Sequence, residues 1–280
     1  MSWIDLLLGR SDKSSIQKEK STPIKEIESF TKVHQYLYDV LKISDLDKRN
    51  FVTENLKNLA KEQKIENEKD FLNEMHKNEQ FHKDVINIVT VNETYFLREQ
   101  ENLDYLVDFV EKSSGNIKIL SMPCSTGEEV YSILILLHHR NPELLRRVQI
   151  VGIDINDYAL QLARKGRYKK RVLHYMSDDL IAKYFTLDDG YYIIDKMFLA
   201  HLQLLNENIF QLSNANLGLF DVVLSRNLFI YFDDGSRKLA TEQLVTMMKQ
   251  DAILIMGHAD RVDNHQKLDK VKSSIYKKVL

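Results

Sequence analysis

Apolar residues in the first part of the chain recur at helical spacing. Phe30, Val33, Leu37, Val40 and Leu41 form one such face. Phe51, Val52, Leu56 and Leu59 form another, and a charge-rich stretch over 60–70 separates it from a third near Phe71 to Met75. No Gly or Pro stands between Pro23 and Gly115. The first 85 or so residues are therefore predicted to be all-helical, with a division into a helical segment over 24–89 and a second unit over 90–280. Leu103, Leu106, Val107 and Val110 predict a further amphipathic helix.

From Gly115 the pattern changes. Short apolar runs at Ile117 to Leu120, Val148 to Ile153, Phe220 to Leu224 and Ile253 to Met256 have the length of buried strands. Helical patterns fall between them at Val130 to Leu137, at Tyr158 to Ala163, and from Asp233 to Gln250, where Ala240, Leu244 and Met248 stand four apart. Strands alternating with helices predict an α/β fold with a mostly parallel sheet covered on both faces. An insertion over about 167–200 interrupts the alternation. It holds a helix candidate from Asp178 to Phe185, a turn at Asp188-Asp189-Gly190 and the β-rich Tyr191-Tyr192-Ile193-Ile194, which together read as a small hairpin subdomain.

Composition narrows the function. Hydrophobic residues make up 44% of 280, enough for a core without disulfides, and Cys124 is the one cysteine. Both fit a reducing cytoplasm. The formal charge of −2 gives no support to a nucleic-acid binder. No apolar run approaches the roughly 20 residues that span a bilayer. The N-terminal Trp3-Ile4-Asp5-Leu6-Leu7-Leu8 is broken by an aspartate and preceded by no basic residue, so no secretory signal is expected. Residues 1–23, polar and charged from 10 onward, are expected to be a flexible tail. His138-His139 lack a partner at metal spacing, and no metal site is expected.

Two strand ends carry candidate chemistry. Cys124-Ser125-Thr126-Gly127-Glu128-Glu129 lies between a strand and a helix, where small residues admit a ligand and helix amides favour its polar groups. Asp154, 27 residues after Gly127, ends the next strand, a position suited to holding two ribose hydroxyls. Taken alone, these signals are equally those of a tight turn and a cap. G-x-G-x-x-G and the P-loop are absent, which weakens dinucleotide and P-loop readings, and [DN]-P-P-[YF] of DNA adenine methylation is absent too.

Further segments add specificity. They are Asn92-Glu93-Thr94-Tyr95-Phe96-Leu97-Arg98-Glu99, SMPCSTGEEVYS over 121–132, Asp154 to Tyr168 with ARKGRY at its end, FDVVLSRNLFIYFD over 220–233, and Gly257-His258-Ala259-Asp260. In order and spacing they resemble the motifs of the CheR-type chemotaxis receptor methyltransferases, from about residue 25 onward. The resemblance implies a Rossmann-like domain that binds S-adenosylmethionine, with a small inserted β-subdomain, preceded by an all-helical N-terminal domain. It implies methyl transfer to glutamate carboxylates of receptor cytoplasmic helices, yielding methyl esters and S-adenosylhomocysteine. Rival readings are a methyltransferase of the same fold with a non-receptor substrate, and a non-catalytic signalling module that binds the cofactor.

Carried over by motif, the cofactor contacts are Asn92, Thr94, Arg98, Glu129, Asp154, Asn208, Ile209, Arg226 and Asn227, with Asn206 competing for the place of Asn208. Arg98 and Tyr231 are the expected catalytic pair, and Lys48-Arg49 the expected substrate contacts. Each has a plainer reading: Arg98 as ion-pair partner of Glu99 or Glu101, Asn227 as a cap, Tyr231 as core. Asn55 and Asn58 stand where the family is typically basic, leaving Lys57 and Lys61 and a diluted docking face. The short segment Thr186-Leu187-Asp188-Asp189 between Tyr184-Phe185 and Gly190 implies an enzyme not tethered by a receptor C-terminal peptide.

Overall fold

The computed structural model describes residues 27–279; the expected tail over 1–23 lies outside them. The helical start is built from α1 (Thr31–Leu41), α2 (Asn50–Glu62), α3 (Glu68–Lys77) and α4 (Glu79–Val89). Asn67 and Asn78 each cap the helix that follows by accepting from a first-turn amide. Buried Val33, Leu37, Val52, Leu56 and Phe71 occupy the predicted apolar faces.

Helix α5 (Gln100–Lys112) leads into the sheet. Strands β1 (Ile117–Ser121) and β2 (Val148–Asp154) enclose α6 (Glu128–Arg140) and the short α7 (Pro142–Arg146). After α8 (Asp157–Lys165) come the two-residue β3 (Arg167–Tyr168), α9 (Asp178–Tyr184), and a hairpin of β4 (Phe185–Asp188) and β5 (Tyr191–Ile194). Then β6 (Leu202–Asn206), β7 (Phe220–Ser225), α10 (Asp234–Thr246), β8 (Met248–Met256), β9 (Leu268–Lys272) and β10 (Ile275–Lys278) complete the described chain.

The large sheet has the order β6-β2-β1-β7-β8-β10-β9. The first five strands are parallel, and β10 and β9 are added antiparallel. Succession reverses direction between β1 and β7, the place where open α/β sheets bind ligands outside the carboxyl ends of their strands. The second sheet, β3-β5-β4, is the predicted insertion. Its hairpin turns on Asp189 and Gly190, both at positive φ, as a two-residue turn between twisted strands requires.

Buried residues fall into two clusters, one on each face of the large sheet. One joins the helical start to Leu120, Val151, Val223 and Leu254; the other joins α5, α6 and the insertion. The core under residues 27–89 is thus continuous with one face of the sheet.

Four elements depart from the sequence reading. The predicted helix over Asp233 to Gln250 ends at Thr246, and β8 begins at Met248. Met248 is buried, pairing with Phe220 of β7, so one apolar residue at helical spacing satisfied both patterns and the sheet neighbour decided. Strand β6 was not anticipated, because its flank on β2 is half-exposed at Leu204 and Leu205. Nor were β9 and β10, whose lysines hide the alternation.

Candidate active site

Two connected compartments open at the switch point. The narrower encloses about 500 Å³ of open space and is lined by Glu93, Thr94, Tyr95, Arg98, Glu129 and Arg226, among others. The wider, about 700 Å³, is lined by Arg49, Asn92, Asp154, Asn208, Ile209 and Tyr231 together with Leu41, Ile43, Val89 and Phe232. Val91, Pro123, Ser125 and Asn227 border both.

The narrower compartment rests on a buried charge cluster. Nη1 of Arg226 donates to Oε2 of Glu129 at 2.7 Å, and Nη2 pairs with Oε2 of Glu99 at 3.2 Å. Arg226 also donates to the carbonyl of Arg98. Ser121 Oγ donates to the other oxygen of Glu129 at 2.8 Å. Glu99 further accepts from the amide of His258 at 3.2 Å. Burial alone would push the Glu99 carboxyl upward; Arg226 and the His258 amide outweigh it and hold the group below its ordinary value. Two carboxylates on one guanidinium leave a net negative charge beside the cavity. Charges taken from water must be paired and hydrogen-bonded to be tolerated, and here all three are.

The backbone that delivers these groups adopts left-handed conformations at non-glycine residues: Leu97, Glu99, Ser125 and Asn227 all have positive φ. Such outliers persist only where the surroundings enforce them. At Asn227 the Asp260 carboxylate does so, accepting from the amides of Asn227, of Gly257 at 3.1 Å and of Ile230 at 3.3 Å. Gly257 cannot be replaced cheaply: a Cβ there would lie 2.8 Å from the Asn227 nitrogen.

Asp154, at the end of β2, is almost fully buried. Its oxygens accept from the amides of Ser125 and Asn156, both at 2.8 Å. Burial pushes its carboxyl up to about 6 against the pull of these amides. A carboxylate has about four acceptor sites, so it keeps capacity for a ligand hydroxyl. Ser125 Oγ, between the compartments, is buried with no partner in the protein. A negative cluster at one end, an acceptor carboxylate at the other and an orphaned hydroxyl between them fit a ligand carrying a cation and sugar hydroxyls.

All of the expected site residues except Lys48 border this cleft. Lys48 pairs with Asp45 at 2.6 Å on the surface, while Arg49 lies over the Tyr231 ring at 5.0 Å. Asn208 lines the wider compartment and donates to the carbonyl of Val40 at 2.8 Å. Its competitor Asn206 instead donates to the carbonyls of Asp154 and Ile155. Arg98 pairs with neither Glu99 nor Glu101; it donates to the carbonyl of Glu93 at 3.0 Å and lies over the Tyr95 ring. Burial raises the Tyr231 hydroxyl, against Arg49 and Arg98, so the phenol stays protonated at neutral pH. Cys124 is buried, with a thiol held well above its ordinary value by burial and by Asp154 and Glu129, as a small loop residue and not an activated thiol. No metal cluster occurs among the described residues, and none of their helices is long and apolar enough to cross a membrane.

Sequence reasoning missed the part of Glu99 in holding Arg226, and the contribution of Leu41 and Ile43 to the wider compartment. The motif displayed Glu99, but its pairing across 127 residues leaves no local signal.

The family model described as "CheR methyltransferase, SAM binding domain" matches residues 92–277. The Chemotaxis protein methyltransferase of Campylobacter jejuni is 31% identical, covering 88% of this chain and 92% of that protein. Chemotaxis protein methyltransferase 2 of Vibrio cholerae is 36% identical, covering 67% of this chain and 68% of its own. The Escherichia coli protein of the same description is 28% identical over 62% of this chain.

Proposed function

Since the chain belongs to the CheR methyltransferase family and uses S-adenosylmethionine as methyl donor, we propose that it esterifies glutamate side chains of chemotaxis receptors in the cytoplasm. The observation that carries this reading is that a cationic Arg98 and a half-buried, protonated Tyr231 line the two compartments of one cleft, beside a net-negative cluster that favours a cationic cofactor.

The bound cofactor supplies a methyl group on a positively charged sulfur that leaves neutral. A glutamate side chain, with an ordinary value near 4.3, is already ionised at neutral pH, so no general base is needed. The protein's task is placement, with the acceptor oxygen held roughly 3–3.5 Å from the carbon it attacks. Asp154 would accept from the ribose hydroxyls. The Glu99–Arg226–Glu129 cluster would face the ligand's positive groups. Arg98 would hold the acceptor carboxylate, its planar guanidinium matching two oxygens. Tyr231 would donate a hydrogen bond beside it. Thr94, Asn92, Asn208, Ile209 and Asn227 would complete the walls.

The test is transfer of labelled methyl from S-adenosylmethionine to a purified receptor cytoplasmic domain. A carboxyl ester releases its label as methanol in mild alkali, whereas methylated amines do not. Alkali-stable label, or none in a protein that binds S-adenosylhomocysteine, would send the assignment to another acceptor. The tight two-residue hairpin turn further supports recruitment without a receptor C-terminal peptide; saturable low-micromolar binding of such peptides at the insertion would reverse that.

A further inference from the structure

The insertion carries a charge feature that the methyl-transfer site does not use. Residues 164–171 read RKGRYKKR, six cations in eight positions, in a chain whose net charge is −2. All six are exposed. They lie on the end of α8, on β3 at the edge of the small sheet, and on the turn that follows. The acidic groups of the fold leave them almost uncompensated. Among the described residues one ion pair reaches the run, Arg167 to Asp189 at 3.5 Å, with Asp189 itself 90% exposed. Arg167 and Lys169 are brought together on the Tyr191 ring, at 3.9 and 3.4 Å. The ring attracts each cation, but like charges held this close repel, and an arriving anion would relieve that repulsion.

The cations of the helical start differ. Lys48 is paired with Asp45 and Lys57 with Glu54, and Arg49 is turned onto Tyr231 inside the cleft. The helix α2, with Asn55 and Asn58, presents little free positive charge.

The run is also next to the cleft. The amide of Phe96 donates to the carbonyl of Val172 at 2.9 Å, joining the segment after the run to the loop that bears Arg98. Tyr95, which lines the narrower compartment, packs against His174 at 4.9 Å and Tyr175 at 5.2 Å. Arg98 lies over the same Tyr95 ring, 5.4 Å from its centre. Aromatic side chains therefore bridge the basic surface and the catalytic arginine.

We propose that the basic run over residues 164–171 docks the acidic flank of the protein helix whose glutamates are methylated, and that its grip loosens as those glutamates are esterified. This rests on the glutamate-ester reading of the cleft. Each transfer replaces a carboxylate by a neutral ester, so the partner loses one unit of the charge that the run attracts. Unpaired surface cations act mainly on encounter and register, and salt screens them. The surface then favours unmodified substrate and releases the product.

The experiment uses the full chain in two variants, Lys169→Gln/Lys170→Gln/Arg171→Gln and the milder Lys165→Gln/Lys170→Gln, which removes two exposed lysines that lie outside the Arg167–Asp189 pair. At low salt the KM for a receptor cytoplasmic domain should rise about tenfold in the triple variant, the scale of losing several steering charges. Turnover at saturation and S-adenosylhomocysteine affinity should stay at the parent values, and the salt dependence of KM should flatten. An unchanged KM and salt dependence in both variants would overturn the proposal. A second arm needs no catalysis: a labelled helical peptide with four glutamates on one face, and its glutamine counterpart, are titrated into parent and variants. Preference for the glutamate peptide that vanishes in the triple variant supports docking. Equal binding of the two peptides, or displacement of the glutamate peptide only by an oligonucleotide that binds more tightly, overturns it. A parent that shows the peptide preference but transfers no methyl to the receptor would instead refute the ester reading.

Discussion

The two compartments of the cleft are built in opposite ways. The narrower is a charged chamber, with Arg226 between Glu99 and Glu129 and backbone held in left-handed conformations. The wider is mostly apolar, walled by Leu41, Ile43, Val89, Met122 and Phe232, with Asp154 as its buried acid. Charge in a dry chamber fixes orientation, because a misplaced ligand leaves buried groups unpaired. Apolar wall supplies area and tolerates small displacement. In the proposed reaction the chamber would set the direction of the reactive group, and the wider compartment how tightly the rest is held.

The sharpest way to break the contrast is Arg226→Met. It leaves two carboxylates facing each other without a cation, and removing one partner of a buried pair costs about 3–5 kcal/mol. Thermal unfolding should shift down accordingly and S-adenosylhomocysteine binding should vanish; retained binding in a folded variant would show that the cluster does not order the chamber. Asp154→Ala acts on the other side. Calorimetry should find affinity weakened by about 1.5–3 kcal/mol, the range for hydrogen bonds to charged groups, with turnover at saturating cofactor little altered. Unchanged affinity would remove Asp154 from the binding site.

Arg98→Ala and Tyr231→Phe separate placement from binding. Arg98→Ala should lower methyl transfer about 100-fold and Tyr231→Phe about tenfold, magnitudes of lost charged and neutral hydrogen bonds, with cofactor affinity nearly intact in the Tyr231 variant. Parent rates in both would place the acceptor elsewhere.

A subtler distinction comes from pH. Asp154 is raised to about 6 by burial, above its ordinary 3.8. The folded state thus prefers the protonated form. The stability this contributes is complete below about pH 4 and is lost as pH rises through 6. Hydroxyl donors from a ligand favour the ionised form, so S-adenosylhomocysteine affinity should climb between pH 5 and about 7 and then level. Asp154→Asn should abolish the climb; a persisting slope would assign it to another group. The smallest effect is expected for Lys48→Ala. Its pair with Asp45 is exposed and screened by solvent, and of these two neighbours Arg49→Ala, at the Tyr231 ring, should be the one to change turnover measurably.

Much of this contrast was legible in the sequence, unequally. β1, β2 and β7 announce themselves as apolar runs because both their faces are buried. The residues that follow them, Ser125, Asp154 and Asn227, stand where the switch point gathers side chains. Half-exposed β6 and the lysine-bearing β9 and β10 gave no such run. The charged chamber was legible as a set of motif residues and not as a circuit. Glu99 and Glu129 meet one guanidinium across 127 and 97 residues, and spacing does not encode such pairing. The plainer pairing of Arg98 with Glu99 or Glu101 was the local alternative, and Glu101 instead meets His258 at 3.0 Å.

The contact between the helical start and Tyr231 has a further consequence. Ile43 forms a bridge with Phe232, the amide and hydroxyl of Ser44 both donate to the carbonyl of Tyr231, and the hydroxyl of Tyr38 donates to Asp233 at 2.6 Å. On the other side of the wider compartment, the Asn156 side chain donates to Asn87 and Thr90, two residues beyond Asp154. The helices are thus fastened at two points to the segments that hold the ligand. Thermodynamic reciprocity makes this fastening work both ways: whatever the cofactor adds to the order of these joints, the joints return as affinity. Amide exchange at 43–44 and 87–90 would then gauge cofactor occupancy, and a partner that grips the helices would tune the cofactor's affinity without touching it.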